Sequence, residues 1–165
     1  MAEEATPEAG NGAAAQTPPR LQMIGQYVKD MSFENVMMQK GLTPQAQPKF
    51  EVQVALDAKK LSDDHYEVIT KIRVDSKHEE DTLFILEIEH AGRFKIENVP
   101  NEQLHPFLMI ECPRHSSPYL RRIASDVTRD GGFPPMNLDN IDFVTLYRNE
   151  ITRRAQEQAN EAVKS

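Results

Sequence analysis

Cysteine is almost absent from this chain of 165 residues, and tryptophan is absent altogether. Cys112 is the only cysteine, so no intrachain disulfide can form and nothing indicates an oxidising compartment. Hydrophobic residues make up 39% and aromatic residues 7% of the chain, which is little for a self-sufficient monomer of this length. The composition is compatible with one domain that completes its apolar burial by oligomerisation.

Positive charge and long apolar runs are also scarce. Basic residues number 19 against 26 acidic ones, and the formal net charge of −7 disfavours nucleic-acid binding, which usually needs a basic patch. No stretch is long enough to cross a bilayer, and the N-terminus carries acids where a signal peptide carries basic residues. We therefore expect a cytoplasmic protein whose acidic surface suits a basic partner.

No group of residues predicts catalysis or metal binding. Cys112 follows an apolar run, which favours a buried small hydrophobe over a nucleophile. His105 and His115 do not complete a set of zinc ligands with this one cysteine. Ser116 and Ser117 lack the G-x-S-x-G elbow of a serine hydrolase. We expect no enzymatic activity, no metal and no cofactor; an acid–base pair in a deep cleft would be needed to revive an enzyme.

Alternating apolar and polar residues organise the first two thirds of the chain. Residues 1–19 are too poor in apolar side chains to fold and are predicted to be a disordered arm. Strands are then predicted at about 21–34, 50–56, 66–74 and 83–89. Short connections make the last three an antiparallel meander, and Phe94 and Ile96 either extend its last hairpin or begin the approach to the helices.

The first predicted strand separates polar from apolar side chains by parity. One face would carry Leu21, Met23, Gly25 and Tyr27, and the other Val28, Asp30, Ser32 and Glu34. With Glu87 and Glu89 of the fourth strand, Asp30 and Glu34 could form one negative patch around Ile85. Such a patch would speed and orient association with a basic partner. The alternative is an ordinary polar outer face.

A long apolar loop is predicted at 35–48, because Gly41, Pro44 and Pro48 exclude a regular element. Loops of this length are often functional, and methionine is favoured at surfaces that accept varied partners. The loop either binds a partner or tucks its apolar residues under itself. Those residues are Val36, Met37, Met38 and Leu42.

Helices are predicted for the last third, with a break near Pro113. Ser116 or Ser117 would cap a helix with Pro118 in its first turn, and Gly131-Gly132 would end it. Its apolar stripe is Leu120, Ile123, Ala124 and Val127. After a proline-rich segment, a last helix at about 142–158 would present Phe143, Val144, Tyr147 and Ile151.

Strands followed by helices predict an α+β domain at 20–151 whose helices cover one face of a four-stranded antiparallel sheet. Residues 152–165 would be a polar helical end or a flexible tail.

Several short motifs in a fixed order carry a family resemblance. They are YVKDMSFE at 27–34, Cys112-Pro113, Pro118-Tyr119 with Arg121, Gly131 before Phe133-Pro134, and Asn137-Leu138 with Phe143. From about Leu21 to Arg148 the chain resembles the SecB protein-export chaperones. The resemblance implies sheets that pair into dimers, and two dimers that join through helices as a homotetramer.

The resemblance also implies a function without a cofactor. Family members are holdases that keep unfolded preproteins translocation-competent in the cytoplasm and deliver them to the SecA motor of the Sec translocase. The positions that match the family's SecA contact are Asp30, Glu34, Ile85 and Glu87. The client groove between the loop and the last helix matches Val36, Met37, Met38, Leu42, Phe50, Val52, Val54, Phe143, Leu146 and Tyr147. The alternative is a SecB-like antitoxin or interaction chaperone dedicated to one partner.

Overall fold

The computed structural model describes residues 17–43 and 48–164, so most of the predicted N-terminal arm lies outside the described residues. Four strands form one antiparallel sheet in the order β1-β4-β3-β2. They are β1 (Arg20–Glu34), β2 (Lys49–Lys60), β3 (His65–His78) and β4 (Asp81–Glu97). This confirms the predicted four-stranded sheet and its meander, and β4 continues through Phe94 and Ile96. Strands β1 and β2 are the sheet edges.

A single long helix with one irregular segment follows the sheet. It consists of α2 (Asn101–Pro106), a π-helical segment (Phe107–Glu111) and α3 (Cys112–Asp130), and α4 (Phe143–Lys164) comes after it. The predicted break near Pro113 is therefore wrong. At the end of the π segment the Cys112 N–H donates to the Phe107 carbonyl, five residues back. The helix therefore continues directly into α3, which begins one residue before Pro113.

The two serines do not cap a helix, contrary to the prediction. Pro118 has no N–H, so the carbonyl of Arg114 lacks its usual donor inside the helix. The Ser117 hydroxyl donates to that carbonyl at 3.2 Å, and the Ser116 hydroxyl donates to the Pro113 carbonyl at 3.3 Å. The Ser117 hydroxyl thus supplies the donor that Pro118 lacks, and the helix continues through this proline.

The predicted loop after β1 contains a short helix, α1 (Val36–Gln39), so its assignment as wholly irregular is wrong. Asn35 caps this helix, because its Oδ1 accepts from the Met38 N–H at 3.2 Å. Its Nδ2 donates to the Gly131 carbonyl at 2.8 Å. One side chain therefore starts α1 and ties it to the end of α3.

Two irregularities in β1 overturn the predicted separation of its faces. The pairing with β4 shifts between Met23 and Gly25 and again between Val28 and Asp30. Each extra residue reverses the alternation of side chains. Leu21 and Met23 consequently face the helices opposite Ile96 and Phe94, whereas Tyr27 lies on the other face together with Asp30, Ser32 and Glu34.

The hydrophobic core lies between the sheet and the long helix and has two parts. The confirmed apolar stripe of α3 packs in the larger cluster, with Leu120 and Ala124 buried in it and Ile123 and Val127 against it. The other buried members are Met37, Ile72, Val74, Leu83, Phe84, Leu86, Ile88, Met136 and Leu138. The smaller cluster holds Tyr66, Val68, Phe94, Ile96, Leu108 and Cys112.

Each of the two glycines after α3 has a different reason to be glycine. Gly132 has φ +86°, the left-handed conformation that favours glycine. Gly131 has an ordinary φ of −73°, so only one of the predicted pair needs glycine's conformational freedom. A Cβ at Gly131 would lie 2.5 Å from Cζ of Phe33, so this glycine allows the helix end to approach β1 closely.

Candidate functional site: two surfaces of one sheet

The sheet face away from the helices collects acidic side chains, which we call the acidic face. Asp30 lies opposite Glu89, Ser32 opposite Glu87, and Glu34 opposite Ile85. Side chains in directly opposite positions are neighbours, about 4.5–5.5 Å apart at Cβ. The register on β3 and β2 adds Asp75 and Glu51 to the row that holds Glu34 and Ile85. The four positions that match the family's SecA contact are thus neighbours on adjacent strands.

Two cations of β3 neutralise part of the acidic face. Arg73 bonds to Asp75 at 3.0 Å and also to Glu87, while Lys71 lies 4.0 Å from Glu89. The hydrogen bond with Asp75 is the main cause that raises the pKa of Arg73, so its charge is held on this face. Asp30 and Glu34 form no ion pair with any described residue and are exposed. Their two carboxylates give the β1 edge of the face uncompensated negative charge.

An apolar groove of about 800 Å³ opens at the opposite edge of the sheet, on the helix side. Phe50, Val52 and Val54 of β2 form its floor, and the proline-rich segment 133–141 forms its wall. Phe50 is 48% and Val52 42% exposed. The long helix therefore leaves the inner face of β2 partly open.

The loop residues assigned to the client groove have different surroundings. Met37 is fully buried in the larger core cluster, while Met38 and Leu42 are 50% and 37% exposed. The terminal methyl group of Met38 lies beside Gly132, next to the start of the groove wall. Met38 can therefore extend the apolar surface beyond the groove itself, whereas Met37 fixes the loop to the core.

The last helix packs against the start of the long helix. Phe143 is buried, and the Tyr147 hydroxyl lies 3.2 Å from Nδ1 of His105. Phe143, Leu146 and Tyr147 do not line the groove over β2. Sequence reasoning missed the wall that does, at 133–141. Its apolar residues between prolines were the available signal, but prolines in a sequence indicate only that a segment is not helical.

No described residues form a site for a metal ion: there is no group of three or more His, Cys, Asp or Glu close enough to hold one. Burial is the main cause that raises the pKa of Cys112 to about 12, so its sulfur is a thiol at neutral pH. Among the described helices none is long and apolar enough to cross a membrane.

An acidic sheet face and an exposed apolar groove are typical of domains that bind other proteins. A family model described as preprotein translocase subunit SecB matches residues 14–154. The protein-export protein SecB of Ruegeria sp. (strain TM1040) is 57% identical over 152 residues, which are 90% of this chain and 93% of that protein. The SecB of Roseobacter denitrificans is 56% identical over 160 residues, 95% of each chain.

The fold is shared with a solved structure as well. The SecB-like chaperone of Mycobacterium tuberculosis, solved in complex with a ChAD peptide from the HigA1 antitoxin, superposes with a TM-score of 0.61 at 14% identity. The match covers 74% of this chain and 91% of that chain. This chain belongs to the SecB family of protein-export chaperones, which confirms the resemblance found in its motifs.

Proposed function

We propose that this export chaperone is a cytoplasmic holdase that binds unfolded preproteins and delivers them to the SecA motor. The observation that carries the proposal is the placement of two different surfaces on opposite faces of one sheet. The acidic face and the apolar groove do not overlap, so a client and the motor can be bound at the same time. Holding and delivery need no nucleotide and no covalent chemistry in this scheme.

Client binding is assigned to the apolar groove and to the loop beside it. Exposed aromatic and aliphatic side chains along β2 offer an extended, sequence-tolerant surface to any segment rich in large apolar residues. Folding buries those segments inside the client, so a folded protein has little to offer the groove. Met38 and Leu42 would add contacts at one end, and Phe143, Leu146 and Tyr147 stay a prediction for a longer groove.

Motor docking is assigned to Asp30, Glu34, Ile85 and Glu87. The free carboxylates at the β1 edge suit basic side chains of a partner, and Ile85 adds an apolar contact between them. Most of this attraction is long-range, so docking should weaken as salt is added.

We assign the chain to a homotetramer, a dimer of dimers, in line with its family. Support comes from the edge strand β1, which is long and carries Ile24, Val28 and Met31 with 52%, 40% and 44% of their surfaces exposed. Unpaired edges with apolar side chains are places where strands of another copy can add. Several grooves on one particle would raise the effective concentration of binding sites along one client.

The experiment that tests client holding compares a reduced, unfolded preprotein with the same protein once folded, with light scattering to measure the mass of the complex. We expect a complex only with the unfolded form. Phe50→Ser combined with Val52→Ser should weaken it at least about tenfold. Leu61→Ser is the matched control, because Leu61 is also 48% exposed but lies outside the groove.

Absence of binding by the well-folded protein would contradict the holdase assignment. It would favour the alternative, a SecB-like antitoxin or interaction chaperone for one specific partner. Equal weakening by the groove and control substitutions would remove the groove from client binding.

A further inference from the structure

A buried carboxylate lies on the same sheet face as the docking acids but outside their cluster. Glu67 of β3 is only 6% exposed. Both of its oxygens are bonded to β1, two strands away: the Tyr27 hydroxyl donates to one, and Nζ of Lys29 donates to the other at 2.9 Å. Burying a charge is costly unless it is paired and hydrogen-bonded, and here both conditions are met.

The contact crosses β4 over a small residue. Ala91 of β4 lies directly opposite Tyr27 on one side and Ile69 on the other, and it is fully buried. Arg93, the next outward residue of β4, donates from Nε to the Tyr27 hydroxyl at 3.2 Å. The guanidinium carbon also lies 5.8 Å from the centre of the Tyr27 ring. Side chains from three strands thus hold β1 in one place.

These side chains hold β1 at its second irregularity, between Val28 and Asp30. Val28 pairs with His90 and Asp30 pairs with Glu89, so Lys29 is the extra residue of a β-bulge. Tyr27 and Asp30 both face outward only because of this extra residue. A regular strand continuing from Tyr27 would turn Asp30 and Glu34 towards the helices. The outward direction of both docking acids therefore depends on a bulge whose own side chain is bound by Glu67.

The same ion pair also settles where the positive charge of Lys29 lies. Lys29 is adjacent to Asp30 in sequence and on the same sheet face, so its ammonium group could neutralise the docking acid. Glu67 holds that group at 2.9 Å instead, and no described residue pairs with Asp30. The hydrogen bonds from Tyr27 and then Lys29 lower the pKa of Glu67, which keeps its charge in place at neutral pH.

We propose that Glu67 is a positioning residue for motor docking, which acts by fixing the Lys29 bulge and by keeping the Lys29 ammonium group away from Asp30. The inference rests on the proposed docking of SecA at the acidic face. It differs from a structural role in general, because it predicts an effect that passes through Asp30 in particular.

Glu67→Gln in the full-length protein is the first variant, and Glu97→Gln is its matched control. Glu97 lies on the same face near the end of β4 and bonds to Lys95 at 3.2 Å. We expect hydrogen exchange of the amides at 28–31 to quicken at least about tenfold in Glu67→Gln alone. Glu67→Gln should raise the dissociation constant for purified SecA about tenfold. In a protein that already carries Asp30→Ala, Glu67→Gln should raise it less than about twofold.

Lys29→Gln keeps the test decisive if Glu67→Gln fails to fold. Charge alone would make this variant bind SecA more tightly, since it removes a cation beside the acidic face. Positioning of the bulge predicts weaker binding. The inference would be overturned if Lys29→Gln bound SecA more tightly, or if Glu67→Gln left hydrogen exchange at 28–31 unchanged. It would also be overturned if Glu67→Gln lowered SecA affinity equally with Asp30 and with Ala at position 30. If the unaltered protein does not bind SecA, the proposed function fails, while the exchange data still decide whether Glu67 fixes the bulge.

Discussion

At the scale of single residues, Glu87 takes part in one observed interaction and one proposed interaction. It bonds to Arg73 on its own sheet face and is one of the acids assigned to motor docking. We expect Glu87→Lys to weaken SecA binding at least about tenfold, because it reverses a charge within the docking surface. Stability should change little, since Arg73 keeps Asp75 and an exposed ion pair contributes about 0–1 kcal/mol. Calorimetric titration with SecA measures the first effect and urea unfolding the second.

The control for this substitution is Glu97→Lys, the same change near the end of the same strand and on the same face. Client holding, measured by light scattering, should be intact in both variants. Unaltered SecA affinity in Glu87→Lys would remove this residue from the docking surface, and an equal loss of docking and holding would indicate misfolding.

The charge of Glu67 makes stability depend on pH. Because hydrogen bonds from Tyr27 and Lys29 lower its pKa in the folded state, its stabilising effect is present above the unfolded value of about 4.3 and is lost as the pH falls through the folded value. Glu67→Gln should therefore lower the urea midpoint at pH 7 and differ less from the unaltered protein below about pH 4. Urea-unfolding midpoints of both proteins, measured at one protein concentration and at each pH, test this expectation. A difference of the same size at pH 3 would assign the effect to packing.

Cys112 gives a test of burial that is independent of function. Burial raises the pKa of its thiol to about 12, so almost no thiolate exists at pH 8 in the folded protein. We expect an aromatic disulfide reagent to leave the native thiol unmodified at pH 8 and to titrate one thiol per chain in urea. Rapid modification without urea would mean that the smaller core cluster opens readily.

At the scale of elements, the end of α3 depends on a close approach. A methyl group at Gly131 would lie 2.5 Å from the ring of Phe33, which itself packs on Phe84 and Phe133 with centroid distances of 5.4 and 6.3 Å. Gly131→Ala should destabilise the fold by roughly 1–3 kcal/mol through overpacking. Gly25→Ala is the control, since nothing lies within 4 Å of its added methyl group.

Thermal unfolding of both glycine variants tests this packing argument. Phe33→Leu should cost less in the Gly131→Ala background than alone, because the smaller side chain relieves the contact. Additive effects of the two substitutions would show that the ring and the glycine do not compete for the same space.

Elements were predictable from the sequence where the pattern is local. The alternation in β3 and β4 and the stripe Leu120–Val127 reflect packing between the sheet and the long helix, which the order of apolar and polar residues records directly. The continuous helix through Pro113 and Pro118 was not predictable. A π-helical segment precedes Pro113, and the Ser117 hydroxyl replaces the N–H that Pro118 lacks, but a serine just before a proline also fits a helix cap. The Lys29 bulge was missed since its stabilising partner, Glu67, lies two strands away.

The candidate site divides along the same line. The acids of β4 share one parity within their strand and the apolar residues of β2 share one within theirs, so sequence alone placed each set on a single face. Asp30 and Glu34 reached the acidic face by a bulge that the sequence pattern conceals, and Val28 was wrongly grouped with them. The groove wall at 133–141 forms only when α3 ends against β1, a long-range contact that no local pattern records.

At the scale of the whole molecule, the free edge of β1 is the feature that an assembly would have to cover. Ile24 and Val28 expose about half and two fifths of their surfaces there, and charges on an edge strand oppose pairing with another copy. We expect Ile24→Lys combined with Val28→Lys to reduce the particle mass below that of the proposed tetramer. The groove over β2 lies at the other edge and should stay intact.

Client binding by that variant separates the contribution of the assembly from that of a single groove. If several grooves engage one chain, loss of the tetramer should weaken holding of a long unfolded preprotein about a hundredfold, while a short peptide that fills one groove should bind as before. Leu61→Lys, an equally exposed position away from the β1 edge, is the control for added charge. A smaller particle that holds the long client with undiminished affinity would show that one groove suffices, and multivalency would then have no part in the mechanism.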